Sequence, residues 1–129
     1  MMEFLPYIAG QITQPFNLVL MFGATVIGLI FGAIPGLSGT LAVMLFMPLT
    51  YTMNASRAVV FLIALWVGGC SGAFIGSVLL GIPGSASAVA TCFDGYPMAQ
   101  AGKAGKALAI GMVASFLGTF FSAILEIGR

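Results

Sequence analysis

Two short strings in this sequence share a pattern of residues that could hold an anion. The first, GAIPGLSGT, covers residues 32–40, and the second, GIPGSASA, covers residues 81–88. In each, a proline is followed by a glycine and then by small residues that include hydroxyl groups. Serine and threonine favour the first position of a helix, where free backbone N–H groups and the positive end of the helix dipole attract anions. Two such helix starts, placed facing each other, would hold carboxylate groups without any arginine.

This chemistry depends on the backbone at the two proline-glycine pairs. Proline removes an N–H donor and clashes with the preceding helical turn, whereas glycine tolerates backbone angles that other residues avoid. We therefore expect each pair to end one helix, to begin another and to place its glycine in an unusual conformation. One isolated break is more simply a proline-kinked helix, but two alike favour a solute site, as in transporters with paired broken helices. The candidate solute-binding residues are Pro35, Gly36, Ser38, Gly39, Thr40, Pro83, Gly84, Ser85 and Ser87.

Composition indicates that these breaks lie in a membrane. Of the 129 residues, 60% are hydrophobic and only 5% are charged, and the mean hydropathy is +1.16. A soluble domain has about 25% charged residues, and an apolar helix of about 20 residues spans a bilayer. The sequence therefore predicts an all-α integral membrane protein, embedded in the lipid bilayer. Four lysines and arginines are too few to follow a nucleic-acid backbone, so we expect no nucleic-acid partner.

Four apolar segments predict about four helices, with discontinuous or re-entrant helices at the Pro-Gly breaks. They cover residues 16–34, 37–53, 58–80 and 108–127, and the second is short for a membrane span. Residues 94–107 contain a cluster of charges and the turn-forming Asp94-Gly95 and Pro97, so they are predicted to be a polar loop. Residues 1–15 are predicted to lie along the membrane interface. The whole range 1–129 is expected to be a single membrane-embedded region.

Glycines recur every four residues in two of these segments. Gly28, Gly32 and Gly36 form one stripe, and Gly68, Gly72 and Gly76 form another. This spacing allows helices to approach closely in a membrane. Two interpretations remain open: the stripes serve simple helix packing, or they let one group of helices slide against another. Their partner helices are expected to lie outside residues 1–129.

The sequence contains few residues that could carry out catalysis. It contains no histidine, which excludes a histidine-based triad and the usual zinc site. GKAGKA at residues 102–107 lacks the spacing of a phosphate-binding loop, and Lys103 and Lys106 are interpreted as headgroup anchors. Cys70 and Cys92 are predicted to be small buried hydrophobes. Asp94 is interpreted as a turn residue or, alternatively, as a cation or proton site. We predict no catalytic residue, no metal and no organic cofactor.

Longer stretches around the breaks resemble a known family. GAIPGLSGTLAVMLFMPLTYTM, followed by GIPGSASAVATCFDGYPMAQAGKAGKALAIG, is similar to the large membrane subunit of the tripartite tricarboxylate transporters. The similarity covers residues 28–118, and IPG, DGYPMA and GKAGKAL occur in the family's order. The matching positions are Pro35, Gly36, Pro83, Gly84, Asp94, Gly95, Tyr96 and Pro97. Relatives often carry an acidic residue or threonine where this chain has Ser85, which leaves the solute and any ion ligand open.

The resemblance implies a multi-pass secondary transporter of the bacterial inner membrane. Such a permease imports citrate or other di- and tricarboxylates, driven by an ion gradient of protons or sodium. It works with a small membrane subunit and a periplasmic solute-binding protein. The family's subunit is much longer than this chain, so residues 1–129 would be the N-terminal part of a longer permease. A different class stays open as the alternative: a non-transporting membrane assembly or scaffold module.

Overall fold

The computed structural model describes residues 2–129, and this part of the chain contains helices and no strand. This confirms the predicted all-α architecture. Three helical stretches are long and apolar enough to cross a membrane, namely Pro15–Ala33, Ala55–Leu80 and Ala86–Ile127. The α-helices are α1 (Phe4–Thr13), α2 (Pro15–Ala33), α3 (Gly39–Thr50), α4 (Ala55–Leu80), α5 (Val89–Met98) and α6 (Ala104–Ile127), with a 3₁₀ turn at Ala86–Ala88 and a π-helical turn at Ala99–Lys103.

The helices α2 and α4 form the tightest pair in the structure. Glycines on each helix approach the partner's backbone so closely that an added Cβ would overlap or crowd it. Gly68 lies against Thr25 and Gly72 against Leu29, so the two helices run in the same direction. The glycines in this contact are Gly28 and Gly32 on α2 and Gly68, Gly72 and Gly76 on α4. Close approach of small residues is the usual basis of helix pairing in lipid.

This pairing corrects one expectation and confirms part of another. The two glycine stripes meet each other, so the prediction that their partners lie outside residues 1–129 is wrong. Gly36 does not belong to the stripe, because no neighbouring atom lies within 4 Å of a Cβ built there. The stripes do serve helix packing, as one of the two interpretations held.

Where α2 and α4 begin, the Arg57 guanidinium of α4 lies 5.1 Å from the centroid of the Phe16 ring of α2.

The short helix α3 connects these two parallel helices in the chain and packs mainly against α4. It has 12 residues, about 18 Å at the α-helical rise, against about 30 Å for the hydrocarbon core of a bilayer. Its first residue, Gly39, packs on Gly69 near the middle of α4, and the rings of Phe46 and Phe61 meet edge to face at 6.3 Å near the start of α4. The helix α3 is thus antiparallel to α4 and begins halfway along it. A buried core of Ala24, Ala42, Phe61, Ala64 and Leu65 joins the three helices.

Residues 94–98 and 104–107 are helical, so the prediction of a polar loop over the whole range 94–107 is wrong, and the chain turns only between these two helices. The helix α5 continues through Asp94, Gly95 and Pro97, and the π-helical turn leads into α6. Two helices meet at a kink in that turn, where Gly102 has a φ of +80° and Lys103 has φ of −109° and ψ of 33°. Gly95 serves packing rather than turning, because a Cβ there would lie 2.9 Å from Cγ2 of Val78. Local turn propensity was overridden by contact with α4.

Two further predictions concern the cysteines and the N-terminal segment. Cys70 is exposed and Cys92 is partly buried, so the prediction that both are buried is wrong. Cys70 lies beside the exposed Trp66 and Val67, away from the glycines that contact α2. The apolar side chains of α1, such as Phe4 and Ile8, are exposed. The placement of residues 1–15 along the membrane interface stays a prediction.

A wash experiment tests the membrane placement. We expect the chain to stay in the membrane fraction after alkaline and high-salt washing, because its long apolar helices are stable only in lipid. Immunoblots of the washed membranes and of the supernatant measure the partition. Recovery in the supernatant without detergent would contradict the placement.

Candidate functional site

The first proline-glycine pair ends one helix and starts the next. The helix α2 stops at Ala33, and Ile34 before the proline is extended, with φ of −81° and ψ of 121°. Gly36 has φ of +90°, a conformation that glycine adopts readily and other residues rarely do. Ser38 then caps α3, since its Oγ accepts a hydrogen bond from the Leu41 N–H at 3.2 Å. The predicted break, the unusual glycine and the serine cap are all confirmed here.

The second pair also separates two helices, but with different geometry. The helix α4 ends at Leu80, and Gly81 takes the left-handed conformation with φ of +67° while its N–H donates to the Ser77 carbonyl. Gly84 does not have positive φ, so the expectation of an unusual conformation there is wrong. Gly84 is needed for space, because a Cβ would lie 2.9 Å from the Gly32 carbonyl oxygen and 3.2 Å from the Cβ of Ala73.

The hydroxyl groups of the second break are not used as a helix cap. Ser85 precedes the 3₁₀ turn, yet its side chain makes no capping hydrogen bond. Instead the Oγ atoms of Ser85 and Ser87 lie 3.1 Å apart, within hydrogen-bonding distance. Ser87 is exposed and Ser85 is partly buried. One of the two oxygens keeps a donor for another acceptor, so this pair of hydroxyls can hold an anion.

The two breaks meet on one face of α4. Gly39, at the start of α3, packs on Gly69, while Gly84 packs on Ala73. Residues 69 and 73 are one turn apart and share a face of the helix, with a rise between them of about 6 Å. Gly32 of α2 lies against both of these α4 residues. The structure therefore brings the breaks together near the middle of α4, as two facing helix starts require.

The helices that begin at the breaks run in opposite directions from this point. The helix α3 runs toward the start of α4. From Gly84 beside Ala73, the chain proceeds to Gly95 beside Val78, so α5 runs toward the end of α4. Both helix starts, with their free N–H groups and positive dipole ends, thus lie at a similar height. Neither string carries a lysine or an arginine, so backbone N–H groups and hydroxyls are the donors available to an anion.

Asp94 lies apart from this meeting point. It is exposed on α5 and lines an open cavity of about 310 Å³ between α4, α5 and α6. Its assignment to a turn is wrong, since it lies within a helix. Across residues 2–129, no group of three or more histidine, cysteine, aspartate or glutamate side chains is arranged to hold a metal ion.

Sequence reasoning missed the residues that join the two breaks. Gly69 and Ala73 of α4 provide the surface on which Gly39 and Gly84 pack. The doublet Gly68-Gly69 was the available signal, because two adjacent glycines on a helix allow close contacts in two directions. Gly68 packs against Thr25 of α2, and Gly69 packs against Gly39 of α3.

Comparison with known proteins identifies the family of this chain. The model of the family "Tripartite tricarboxylate transporter TctA family" matches residues 18–127. The chain belongs to this family. A relative from Agrobacterium vitis, described as "Uncharacterized 52.8 kDa protein in TAR-I ttuC' 3'region", is 32% identical over 102 residues, which cover 79% of this chain and 20% of the relative. No solved structure matches the chain with significance.

Membership of the TctA family confirms the resemblance carried by the IPG, DGYPMA and GKAGKAL motifs. The matched region contains both breaks, Asp94 and all of α3–α5. The match and the apolar helices support a multi-pass membrane protein of this family. The chain spans about one fifth of the length of the curated relative it matches.

Proposed function

We propose that this chain forms part of a secondary transporter that imports citrate or other di- and tricarboxylates across the bacterial inner membrane. It acts with a small membrane subunit and a periplasmic solute-binding protein, and it performs no enzymatic reaction. The observation that carries the proposal is the meeting of two helix breaks on consecutive turns of α4, at Gly69 and Ala73. Paired broken helices near the bilayer midplane are the usual solute site of secondary transporters.

Each residue of the breaks has a physical role in the proposed site. Pro35 and Pro83 stop the helix before them. Gly36 reverses the chain through its positive φ, and Gly84 brings the second break onto α2 and α4. Gly39 then lets α3 begin directly on the backbone of α4. These residues position the two helix starts, and the serine and threonine hydroxyls form hydrogen bonds with the solute.

Solute binding then uses two groups of donors. One carboxylate is held at the start of α3 by backbone N–H groups with the hydroxyls of Ser38 and Thr40, and a second at the hydroxyls of Ser85 and Ser87. A helix terminus contributes about 0.3–2 kcal/mol to an anion, and a hydrogen bond to a charged group about 1.5–3 kcal/mol. Several such contacts bind a multivalent anion firmly but still release it, as transport requires.

The alternative function is a membrane assembly or scaffold module. The glycine-packed pair of α2 and α4 and the largely exposed apolar surface of α6 favour it. A scaffold requires the close approach of helices but makes no use of free hydroxyls. Substitutions at the hydroxyls therefore separate the two functions.

The experiment is a double substitution, Ser85→Ala with Ser87→Ala, in the complete permease. Neither serine caps a helix through its side chain, so the helices should be retained. We expect the KM for labelled citrate to rise about tenfold or more, because hydrogen bonds to a charged group are lost. Uptake into membrane vesicles and equilibrium binding measure the effect at matched expression.

The control for this experiment is Ser71→Ala. Ser71 is an exposed serine of α4 whose hydroxyl donates to the Val67 carbonyl of its own helix at 3.1 Å. Its substitution should leave citrate uptake unchanged. If the double variant behaves like this control, the proposed solute site is refuted and the scaffold function is favoured.

A further inference from the structure

The Asp94 carboxylate is an exposed charge on α5, in the wall of a cavity formed with the apolar helices α4 and α6. It is the single acidic residue between Glu3 and Glu126 in the sequence. Through α5 it is attached directly to the second break, because the 3₁₀ turn at Ala86–Ala88 continues into that helix. Ionisable residues of this kind are rare in membrane proteins, and they commonly mark ion or proton pathways.

The cavity beside Asp94 has a wall that is otherwise nearly free of polar side chains. Thr91, three residues earlier on the same face of α5, also lines it and adds a hydroxyl oxygen. The helices α4 and α6 contribute Phe74, Val78, Ala107, Ile110 and Gly111 to the lining, and α5 also contributes Ala90. The carboxylate is thus the one charged group in the wall of this cavity, and its field favours a cation.

The backbone next to Asp94 is also irregular. Proline has no N–H, so Pro97 leaves the carbonyl oxygen of Phe93 without its regular helical donor. The helix then ends at a kink, where Gly102 has a φ of +80°. Carboxylate, hydroxyl and carbonyl oxygens are the ligands that hard cations prefer.

The remaining ionisable groups of this region lie outside the cavity wall. The Tyr96 ring packs against Gly81, and its hydroxyl accepts a hydrogen bond from Nε2 of Gln100 at 2.7 Å. Lys103 and Lys106 are exposed. The α4 and α6 residues that line the cavity carry no charge.

From this geometry we propose that Asp94 takes up the monovalent cation whose gradient drives carboxylate import. The inference rests on the proposed function. A proton converts the carboxylate to the neutral acid, and a sodium ion pairs with it; in either case the negative charge on α5 is neutralised.

Neutralisation of Asp94 affects solute affinity because the carboxylate is close enough to repel the bound anion. Ser87 and Asp94 are seven residues apart on one continuous helical element, about 10 Å along the axis. At that distance and an effective dielectric constant near 20, a bare Asp94 carboxylate weakens binding of the solute carboxylate at Ser87 on the order of tenfold. Uptake of the cation removes this repulsion, so cation and solute bind cooperatively and move together.

The test measures solute affinity against cation concentration in the complete permease with its partner subunits. For the unchanged protein, the Kd of labelled citrate should fall about tenfold as either the proton or the sodium concentration is raised. For Asp94→Asn, the Kd should no longer depend on that cation. Separate titrations with protons at fixed sodium and with sodium at fixed pH show which cation is bound.

Controls make each outcome decisive. Glu126→Gln removes an exposed carboxylate at the end of α6 and should leave the cation dependence unchanged. If Asp94→Asn is not recovered in the membrane, Asp94→Glu keeps the charge and should shift the cation concentration at half effect. A cation dependence that persists in Asp94→Asn, or an unshifted midpoint in Asp94→Glu, would overturn the proposal. An unchanged protein that binds no carboxylate refutes the proposed function instead, and cation-independent binding by the unchanged protein refutes the role of Asp94 alone.

Discussion

Replacing Gly84 with valine should reduce carboxylate uptake by the complete permease at least tenfold. A Cβ at this position would lie 2.9 Å from the Gly32 carbonyl oxygen and 3.2 Å from the Cβ of Ala73. Overpacking at such a contact costs about 1–3 kcal/mol, and about 1.4 kcal/mol corresponds to a factor of ten. The second break would move away from α2 and α4, and the two helix starts would no longer face one solute. Uptake of labelled citrate into vesicles, at matched expression, measures the loss.

Gly23→Val is the matched control for Gly84→Val. Gly23 lies within α2, and a Cβ there would meet no atom within 4 Å. Valine at this position should leave uptake within about twofold, since an open helical site tolerates a side chain with effects near 0.5 kcal/mol. Equal losses in both variants would favour a plain kinked helix over a solute site.

At the first break, substitutions of Gly36 distinguish the effect of backbone conformation from the effect of close packing. It has open space around it but a φ of +90°, so valine is disfavoured by strain of about 1–3 kcal/mol. Asparagine tolerates left-handed conformations better than β-branched residues do. Gly36→Asn should therefore retain more uptake than Gly36→Val, whereas at Gly84 asparagine and valine should both be harmful.

The second large effect concerns the chain by itself. We predict that residues 1–129 alone insert into membranes but accumulate no carboxylate above the level of empty vesicles. The helix α6 has one buried residue, Ala107, and its residues 112–127 are all exposed. The curated relative is about five times longer than the matched region, and transporters commonly hold the solute between two structural repeats. A site bounded on one side by α4 would then lack its second wall.

Reconstituted vesicles with an imposed proton or sodium gradient and labelled citrate test this prediction. The complete permease with the small membrane subunit and the solute-binding protein serves as the positive control. Vesicles that contain the fragment with Gly84→Val control for leakage. Uptake by the fragment that is lost in this variant would contradict the prediction and show that copies of this chain complete the site themselves.

Several features of this protein followed from the sequence because they depend on neighbouring residues alone. Apolar runs of spanning length determine membrane helices. Both proline-glycine pairs lie outside the helices, as the sequence predicted, although Pro48 and Pro97 lie inside theirs. The ends of α2 and α4 and the serine cap at Ser38 were therefore predictable. So was the short α3, whose apolar segment is bounded by a break and by a polar stretch.

Local signals failed where a contact between distant segments was decisive. Asp94-Gly95 and Pro97 suggested a turn, yet Gly95 allows α5 to pack on Val78 and the helix continues. Pro83-Gly84 suggested an unusual backbone, yet the left-handed residue is Gly81. Gly95 and Gly84 are both needed because a larger side chain would not fit. The sequence alone does not show whether a glycine is needed for an unusual backbone angle or for close packing.

The meeting of the two breaks was decided by the tertiary structure alone. Composition, helix periodicity and caps act over a few residues, but Gly39 and Gly84 are joined through Gly69 and Ala73 of a third segment. That contact exists because α3 returns antiparallel and so leaves α2 and α4 parallel, with their glycine stripes in register. Helix pairing in lipid depends on the shapes of whole faces rather than on a general hydrophobic force, so the sequence specified the breaks and the assembled helices placed them together.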